Sequence, residues 1–403
     1  MNEKNSTRIP TSLEKFMMYN DDGVFYIGHA SALVRIKKQL FLFDPVWDHK
    51  PYGDYWTFYP KQVNCDQILE KVGNIFLSHI HEDHICDRIL KNFGGSAHIM
   101  KGRPPLTKRI MATGAAAILH TPFKWTEIED GIEAYFVPHT FNSIDSSVFL
   151  RSVPDYVEDF FVYVGSDNFL SPELIKKIKP DIPKVDVAMI PYAFIHWYPH
   201  LIVNMAPNEK NAELTRLNKQ SLDQARSFIE AFRPGTVIPF GSNLYYASGE
   251  DHILNQALTK PEELVENPMK TGSFILSCGA RHDVKLEEKF EATEFPVPDF
   301  DYDFQNSDLK KVETKLEACA AKVPGNVLLV NDISIDLETL KVGYKEVPKG
   351  KNATAFRFDE PIFEKWLRGE ITFEQAIGTR RFICARVPNV YNVNVFEFMN
   401  NHL

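Results

Sequence analysis

The sequence predicts an α/β protein built in layers, and three kinds of observation support this. Short apolar runs end in loops that carry polar side chains, as strands of a buried sheet do. Segments with apolar residues three and four apart, typical of amphipathic helices, lie between those runs. Breakers such as Arg233-Pro234-Gly235 separate the two kinds of segment. This alternation is typical of sheets covered by helices.

The elements follow in chain order. Strands are predicted at 24–27, 31–36, 40–43, 74–78, 134–137, 160–164, 186–190 and 236–239. A helix is predicted at 87–93, where Ile85, Ile89 and Phe93 are spaced by four. A longer amphipathic helix is predicted at 221–232, with Leu222 and Ile229 on its apolar face.

Residues 294–308 mark a change in composition, because this stretch is rich in proline and aspartate. We therefore predict two parts, a catalytic domain at 1–293 and a linker with a small α+β C-terminal domain at 294–403. In the second part, helices are predicted at 309–322, 364–367 and 372–377, and strands at 327–330 and 355–358.

Composition excludes several functional classes. The chain has 45 basic and 54 acidic residues, a net charge of −9, which argues against binding to a phosphate backbone. No run approaches the roughly 20 apolar residues of a membrane span, and the N-terminus lacks the apolar core of a signal peptide. The five cysteines are scattered and form no Cys-x-x-Cys pair. We expect a cytoplasmic protein with reduced thiols, and neither a zinc ribbon nor a Rieske cluster.

The strongest chemical signal follows the predicted strand at 74–78. Here His79, His81, Asp83 and His84 occur within six residues. Imidazole and carboxylate are ligands that suit zinc or iron. His79 and His81 are two apart and can face one ion, whereas Asp83 and His84 leave the turn in another direction. One loop can thus serve two ions, or one ion and its water; the alternative is a surface loop that happens to be histidine-rich.

Two later residues complete this set. His139 follows the predicted strand at 134–137, and Asp167 follows the one at 160–164. Either residue alone would be an ordinary polar or turn position. Beside the histidine cluster they become candidate ligands, because a metal site draws ligands from separate strand ends. An aspartate between two ions can also bridge them and offset their charge.

The string from His79 to His84 resembles the HxHxDH signature of the metallo-β-lactamase superfamily. Gly28-His29-Ala30-Ser31 and the segment 42–47 resemble the opening of its lactonase and N-acyl-phosphatidylethanolamine phospholipase D branch. The resemblance covers about residues 22–260. It implies a four-layer αβ/βα sandwich, with His79, His81 and His139 on one ion. Asp83, His84 and a bridging Asp167 would then hold the second ion, with His29 and Asp44 as supporting partners.

Other segments resemble the metallo-β-lactamase-like part of CMP-N-acetylneuraminate hydroxylase. They are Trp197-Tyr198-Pro199, Arg233-Pro234, the run 238–241 and the C-terminal run 386–395. Those hydroxylases also carry an N-terminal Rieske domain, which is not found in this sequence. This resemblance implies a nucleotide-linked or amino sugar as substrate, whereas the lactonase branch implies a lactone or phosphodiester.

One position departs from the superfamily pattern. Phe240-Gly241 stands where most members place a final histidine. The second ion is then weakly held, absent, or completed by another residue such as His252, whose alternative role is at a helix start. His196 and His200 flank Trp197 and Tyr198 and either line a substrate cleft or pack in an aromatic loop.

These observations favour a metal-dependent hydrolase of the metallo-β-lactamase fold that uses a metal-bound hydroxide on an ester, lactone or phosphodiester in a small molecule. Asp83 would orient the nucleophile or take its proton. The cofactor would be one or two divalent ions, zinc favoured and iron an alternative. The second hypothesis is a non-haem diiron oxygenase or oxidase that acts on a sugar and needs a separate reductase partner. The third is a degenerate metal-binding module.

Overall fold

Two β-sheets that pack face to face form the centre of the fold. The computed structural model describes residues 12–47, 49–139, 145–153, 159–246, 255, 258–283, 299–300, 302 and 304–403. The first sheet contains β1 (Gly23–Gly28), β2 (Ser31–Ile36), β3 (Gln39–Phe43), β5 (Asn74–Phe76), β6 (Ser96–Met100), β7 (Ala116–His120), β15 (Phe274–Leu276) and β16 (Arg281–His282). Their order is β16-β15-β1-β2-β3-β5-β6-β7. A short pair, β4 (Trp56–Phe58) and β14 (Leu244–Tyr246), lies apart from it.

The second sheet has six strands and faces the first. It contains β8 (Trp125–Glu129), β9 (Ile132–Pro138), β10 (Ser146–Ser152), β11 (Phe161–Val164), β12 (Val187–Pro191) and β13 (Thr236–Phe240). Their order is β13-β12-β11-β10-β9-β8. Apolar side chains from both sheets fill the space between them, including Val34, Phe76, Phe136, Val162 and Ile238. β1 and β2 are buried at every position, which is why they appear in the sequence as continuous apolar runs.

Helices cover the outer face of each sheet. On the first sheet lie α1 (Ser12–Met18), α2 (Asp87–Asn92) and α3 (Pro104–Ala112), whose buried residues include Phe16, Ile89 and Ile110. On the second sheet lie α4 (Pro172–Ile178) and α5 (Pro207–Phe232), which bury Ile175 and Phe228. The layer order helix, sheet, sheet, helix confirms the predicted αβ/βα sandwich.

Helix α5 begins 14 residues before the predicted start. The prediction missed its first half because the residues there are exposed or only partly buried. Its fully buried residues run from Ser221 to Phe232, the segment that the sequence pattern identified. Pro207 is compatible with the first turn, and the Glu209 side chain accepts a hydrogen bond from the Ala206 N–H at 2.8 Å. Periodicity therefore found only the half of this helix that contacts the core.

A separate sheet lies in the C-terminal part. Its strands are β17 (Asn326–Val330), β18 (Ile333–Asp336), β19 (Val342–Tyr344), β20 (Asn352–Phe358) and β21 (Phe382–Val387), in the order β19-β18-β17-β20-β21. The helices are α6 (Asn306–Leu316), α7 (Glu360–Leu367), α8 (Phe373–Gly378) and α9 (Val393–His402). The division at 293/294 stays a prediction, because residues 284–298 lie outside the described part of the chain.

The C-terminal core is joined to the sandwich by a segment that follows β12. Trp197 and Ile202 from this segment are buried among C-terminal residues such as Phe356. Cys384 of β21 donates its N–H to the Leu201 carbonyl, and its own carbonyl accepts from the Val203 N–H, both at 2.8 Å. The C-terminal part is thereby held beside the edge of the sandwich where the polar loops lie.

In the part of the chain that the structure describes, none of the helices combines the length and the apolar character that crossing a bilayer requires.

Candidate metal centre

The candidate site lies where several strands end at one edge of the sandwich. β3 runs parallel to β5, and β11, β12 and β13 run parallel to one another, so their carboxyl ends carry loops to a common region. Asp44 follows β3, the histidine loop follows β5, and Asp167 follows β11. His29, Asp44 and Ser166 adopt φ angles of 49°, 35° and 51°. Positive φ costs energy for residues other than glycine and is concentrated at functional sites.

One group of candidate ligands consists of His79, His81 and Asp167, whose ligand atoms lie within 4.8 Å of one another. His79 Nε2 is 2.7 Å from His81 Nδ1 and 3.7 Å from Asp167 Oδ2. His79 is fully buried, whereas His81 and Asp167 are open to a cavity. This arrangement matches the sequence expectation that His79 and His81 face the same point.

A second group consists of His29, Asp83 and His84, all buried. Asp83 Oδ2 lies 3.2 Å from His29 Nε2 and 3.4 Å from His84 Nε2. His84 Nε2 is also 3.3 Å from Asp167 Oδ2. The same oxygen of Asp167 therefore faces one nitrogen of each group, which is the geometry expected of a carboxylate shared by two sites.

The other ring nitrogens of three histidines have polar partners. His79 Nδ1 lies 2.8 Å from Ser78 Oγ, and His84 Nδ1 lies 2.9 Å from Asp44 Oδ2. His81 Nε2 lies 3.4 Å from Glu374 Oε1. Metal-binding histidines usually donate their second N–H in this way, which fixes the tautomer and the ring orientation.

Hydrogen bonds to Asp44 hold the start of the histidine loop in place. Its carboxylate accepts hydrogen bonds from the Ser78 N–H at 2.8 Å, the Ser78 hydroxyl at 2.6 Å and the Ser166 hydroxyl at 2.7 Å. It thus connects the ends of β3, β5 and β11. Asp44 was expected to support the ligands rather than bind the metal, and these contacts are of that kind.

Burial and the neighbouring charges set the protonation of the cluster. Burial, reinforced by His84, lowers the pKa of His79 to about 4, so this ring is neutral at pH 7 and able to bind a metal. Burial alone would lower the pKa of His84, but the carboxylates of Asp167 and Asp83 raise it well above its ordinary value. Burial would likewise raise the pKa of Asp83, but His84 and His29 hold it well below its ordinary value.

These residues fit divalent ions. Asp83, Asp145, Asp167 and Glu374 all line one cavity, and the charges of Asp167 and Asp83 raise the pKa of His84 despite its burial. A cation at the same place would satisfy the carboxylates and leave His84 neutral as a ligand. The donor set of imidazole nitrogens and carboxylate oxygens suits zinc and iron alike.

Five of the six predicted ligands come together in these groups: His79, His81, Asp83, His84 and Asp167. The sixth, His139, follows β9 and lines the same cavity without joining either group. Burial lowers the pKa of His139, so its ring is also neutral at pH 7. His252 lies outside the described residues, so its contribution stays untested.

The two histidines of the aromatic loop have different surroundings. His196 lines the cavity, its Nδ1 accepts the Tyr198 N–H at 3.1 Å, and burial lowers its pKa to about 3. His200 does not line the cavity, and its carbonyl accepts a hydrogen bond from Lys210 Nζ at 2.8 Å. The cleft interpretation therefore applies to His196 only.

Sequence reasoning missed three residues at this site. His29 was assigned a supporting role, yet its Nε2 lies within the second ligand group. Asp145 precedes β10, and its Oδ1 lies 3.8 Å from His79 Nε2. The only sequence signal for Asp145 was its position six residues after His139. Glu374 comes from α8 of the C-terminal part, and no local pattern could have linked it to a loop almost 300 residues earlier.

The cavity beside the two groups has a volume of about 340 Å³. One wall is aromatic and includes Trp56, Phe169, Phe194 and Trp197. The C-terminal part also lines the cavity, with Glu374, Arg380, Tyr391, Phe396 and Asn400. Gln375 of α8 donates a hydrogen bond to Glu82 of the histidine loop at 2.5 Å, and Glu82 also accepts the Tyr52 N–H at 2.7 Å.

No protein-family model matches the chain. A curated protein of Mycolicibacterium smegmatis, which carries the provisional name Rieske 2Fe-2S iron-sulfur protein, is 23% identical over 261 residues, which are 60% of this chain and 48% of that protein. The chain thus spans about half the length of the curated relative it matches.

Among solved structures, the diiron β-hydroxylase CmlA from Streptomyces venezuelae is 16% identical, with a TM-score of 0.40 over 56% of this chain and 45% of that chain. Igni18, a metallo hydrolase from Ignicoccus hospitalis, is 17% identical, with a TM-score of 0.39 over 55% and 83%. Proteins of the metallo-β-lactamase superfamily or fold from Thermotoga maritima and Bacillus subtilis also resemble the chain, with TM-scores of 0.27 and 0.33. Similarity at this level leaves the choice of function to the site itself.

Proposed function

We propose that the chain is a dinuclear metal-dependent hydrolase that cleaves an ester, lactone or phosphodiester bond in a small molecule. The observation that carries this proposal is the position of Asp167, whose Oδ2 faces His79 Nε2 at 3.7 Å and His84 Nε2 at 3.3 Å. One carboxylate between two imidazole-containing groups is an arrangement suited to a pair of ions.

In this proposal His79, His81 and Asp167, joined by His139, hold one ion. His29, Asp83 and His84 hold the second and share Asp167 with the first. Besides Asp83, His84 and the shared Asp167, His29 gives the second set a further protein ligand. The sequence has Phe240 where the superfamily pattern has a histidine. Zinc is favoured because imidazole with carboxylate is a common donor set for catalytic zinc.

When bound, the ions would activate a water near neutral pH and stabilise negative charge on the substrate. The residues of the chain contribute orientation. Asp83 stays ionised because of its depressed pKa, so its oxygens can accept a hydrogen from a water and orient it. The aromatic wall formed by Trp56, Phe194 and Trp197 offers an apolar surface to the substrate.

The hydrolase proposal is tested with zinc-loaded protein and a panel of chromogenic esters, aryl lactones and bis-aryl phosphodiesters. We expect turnover of at least one class, and a loss of about 100-fold or more in the Asp83→Asn protein, because removal of a group at the reacting centre typically costs this much. An Asp83→Asn protein with wild-type metal content and full turnover would contradict the role of Asp83. A zinc-loaded wild type inactive on all classes would count against the hydrolase.

Oxygen chemistry is the second candidate, and two observations favour it. The Mycolicibacterium relative has an iron–sulfur name, and this chain corresponds to about half of it. In addition, the imidazole and carboxylate donors of both groups suit iron as well as zinc. The same residues would hold iron, and the electrons would come from a separate reductase partner. Iron-loaded protein that consumes dioxygen with an added reductant, while zinc-loaded protein is inactive on the panel, would favour this candidate.

The cytoplasmic location remains part of the proposal. All five cysteines are unpaired, which is compatible with a reducing compartment.

A further inference from the structure

The cavity has one basic side chain among acidic ones. Asp83, Asp145, Asp167 and Glu374 line it, and among the described lining residues Arg380 is the single lysine or arginine. Once the carboxylates are engaged by metal ions, Arg380 is the remaining positive group of the protein in the cavity. It belongs to the C-terminal part and lines the cavity together with Phe194 and Trp197.

Arg380 is weakly engaged by the protein itself. Its Nη1 donates to the Ile377 carbonyl at 3.4 Å, its guanidinium lies 5.0 Å from the centre of the Trp56 ring, and its buried Nε has no hydrogen-bond partner among the described residues. No carboxylate of the described residues lies within 4.0 Å of it. Buried donors of this kind normally have partners, so the guanidinium of Arg380 has hydrogen-bonding capacity left for a ligand in the cavity.

The adjacent arginine shows the contrast. Arg381 is buried and donates from Nε and Nη2 to Asp359 Oδ2 at 2.9 and 2.6 Å. Arg381 is therefore a structural residue of the C-terminal core, whereas Arg380 points into the cavity.

The backbone holds Arg380 in a costly conformation. Its φ is 60°, in the left-handed region that residues other than glycine seldom adopt. It follows the end of α8, where Gly378 packs so closely on Tyr52 that an added Cβ would lie 2.0 Å from the Tyr52 ring. Strained positions of this kind persist where the surrounding structure fixes a side chain for a task.

We infer that Arg380 binds an anionic group of the substrate, a carboxylate or a phosphate, within this cavity. This inference rests on the proposed function, because the metal ions are what leave Arg380 without a counter-charge. The planar guanidinium matches both anions through two parallel hydrogen bonds. Besides the reacting bond, the substrate would then carry an acidic group and an apolar portion that packs against the aromatic wall.

The test measures binding of matched probes to zinc-loaded protein by titration calorimetry. The first pair is 4-phenylbutanoate and its uncharged primary amide, and the second is 3-phenylpropylphosphonate and its dimethyl ester. We expect the wild type to bind the anion of at least one pair about 10- to 100-fold more tightly than the neutral partner, as expected for charge-assisted hydrogen bonds. The pair with the larger preference identifies the acidic group as carboxylate or phosphate.

Two variants and a control test whether Arg380 causes the preference for the anionic probe. In Arg380→Gln the affinities for the anionic and the neutral probe should lie within about 3-fold of each other. Arg380→Lys should restore part of the difference, because lysine keeps the charge but lacks the two parallel N–H donors of the guanidinium. Arg357→Gln is the control, since Arg357 pairs with Asp332 outside the cavity and its side chain is 42% exposed. The control should retain the wild-type preference.

Two results would overturn the inference. One is a wild type with no preference for either anion, and the other is an Arg380→Gln protein that keeps the preference, which would assign anion binding to the metal ions. A merely structural role of Arg380 beside Trp56 would weaken the binding of both members of a pair equally and so give the second of these results. Because the readout is binding, a failure to hydrolyse any ester leaves this test intact and bears on the proposed function alone.

Discussion

Replacing Glu374 by alanine removes the carboxylate that faces His81 Nε2 at 3.4 Å. The other nitrogen of His81, Nδ1, lies 2.7 Å from His79 Nε2 and faces the proposed ion. The hydrogen bond at Nε2 is therefore the one that fixes the orientation of the His81 ring. Partners of this kind account for about 10- to 100-fold in metal affinity. The side chains of His81 and Glu374 are 33% and 21% exposed, so solvent screening favours the lower end. We expect a loss of about 10-fold in zinc affinity, or about 1.4 kcal/mol.

The assay is competition for zinc between the protein and a chelating dye at pH 7, with the melting temperature recorded for each variant. Glu374→Gln keeps the size and a neutral acceptor, so its loss should be smaller, about 3-fold. Glu370→Ala is the matched control, because Glu370 pairs with Arg368 on the exposed surface. A folded Glu374→Ala protein that binds zinc as tightly as the wild type would refute the reasoning.

Three further predictions concern the same region. His29→Ala should lower the metal content from about two ions per chain to about one, measured by elemental analysis, and unchanged content would show that His29 is not a ligand. In metal-free protein His84 has a raised pKa, so it contributes stability below about pH 6.5 that is lost as the pH rises through the folded-state value. The melting temperature of EDTA-treated wild type should fall over this window more steeply than that of His84→Asn, and equal slopes would argue against the assignment. Gly378→Ala should destabilise the protein by about 1–3 kcal/mol in chemical unfolding, because the new Cβ would lie 2.0 Å from the Tyr52 ring, whereas Gly94→Ala, with open space around it, should change little.

Most strands of the sandwich were predicted because they are buried apolar runs, although β6 and β10 were missed despite their burial. The predicted strand at 31–36 coincides with β2, and the one at 40–43 lies within β3, since both are apolar runs with clear breaks. β7 and β8 were missed because their residues are mostly exposed or partly buried, so they lack an apolar pattern. The start of α5 was missed for the same reason.

The candidate site shows the same division between local and distant information. The loop from His79 to His84 and the strand-end residue Asp167 were predicted, because their ligand character is visible within a few residues of a buried strand. Asp145 depends on the pairing of β9 with β10, and Glu374 depends on how the C-terminal part packs on the sandwich. Neither relation leaves a periodic or spacing signal in the chain.

The predicted incompleteness of the second ion site also takes a different form in the structure. Phe240 stands where a histidine was expected, but His29 approaches Asp83 and His84 from the end of β1. Its φ of 49° turns the side chain out of the strand direction, and a positive φ at a residue other than glycine cannot be inferred from the sequence. A strand-end histidine far away in sequence thus lies in the second group of candidate ligands.

Elemental analysis of purified wild type and of Asp167→Ala tests the central claim most directly. The account predicts about two divalent ions per wild-type chain and a clear loss in Asp167→Ala, because this carboxylate faces both ligand groups. Zinc would support hydrolysis and iron would support oxygen chemistry. A wild-type chain that holds no divalent ion after dialysis against either metal, or an Asp167→Ala chain that keeps both ions, would contradict it.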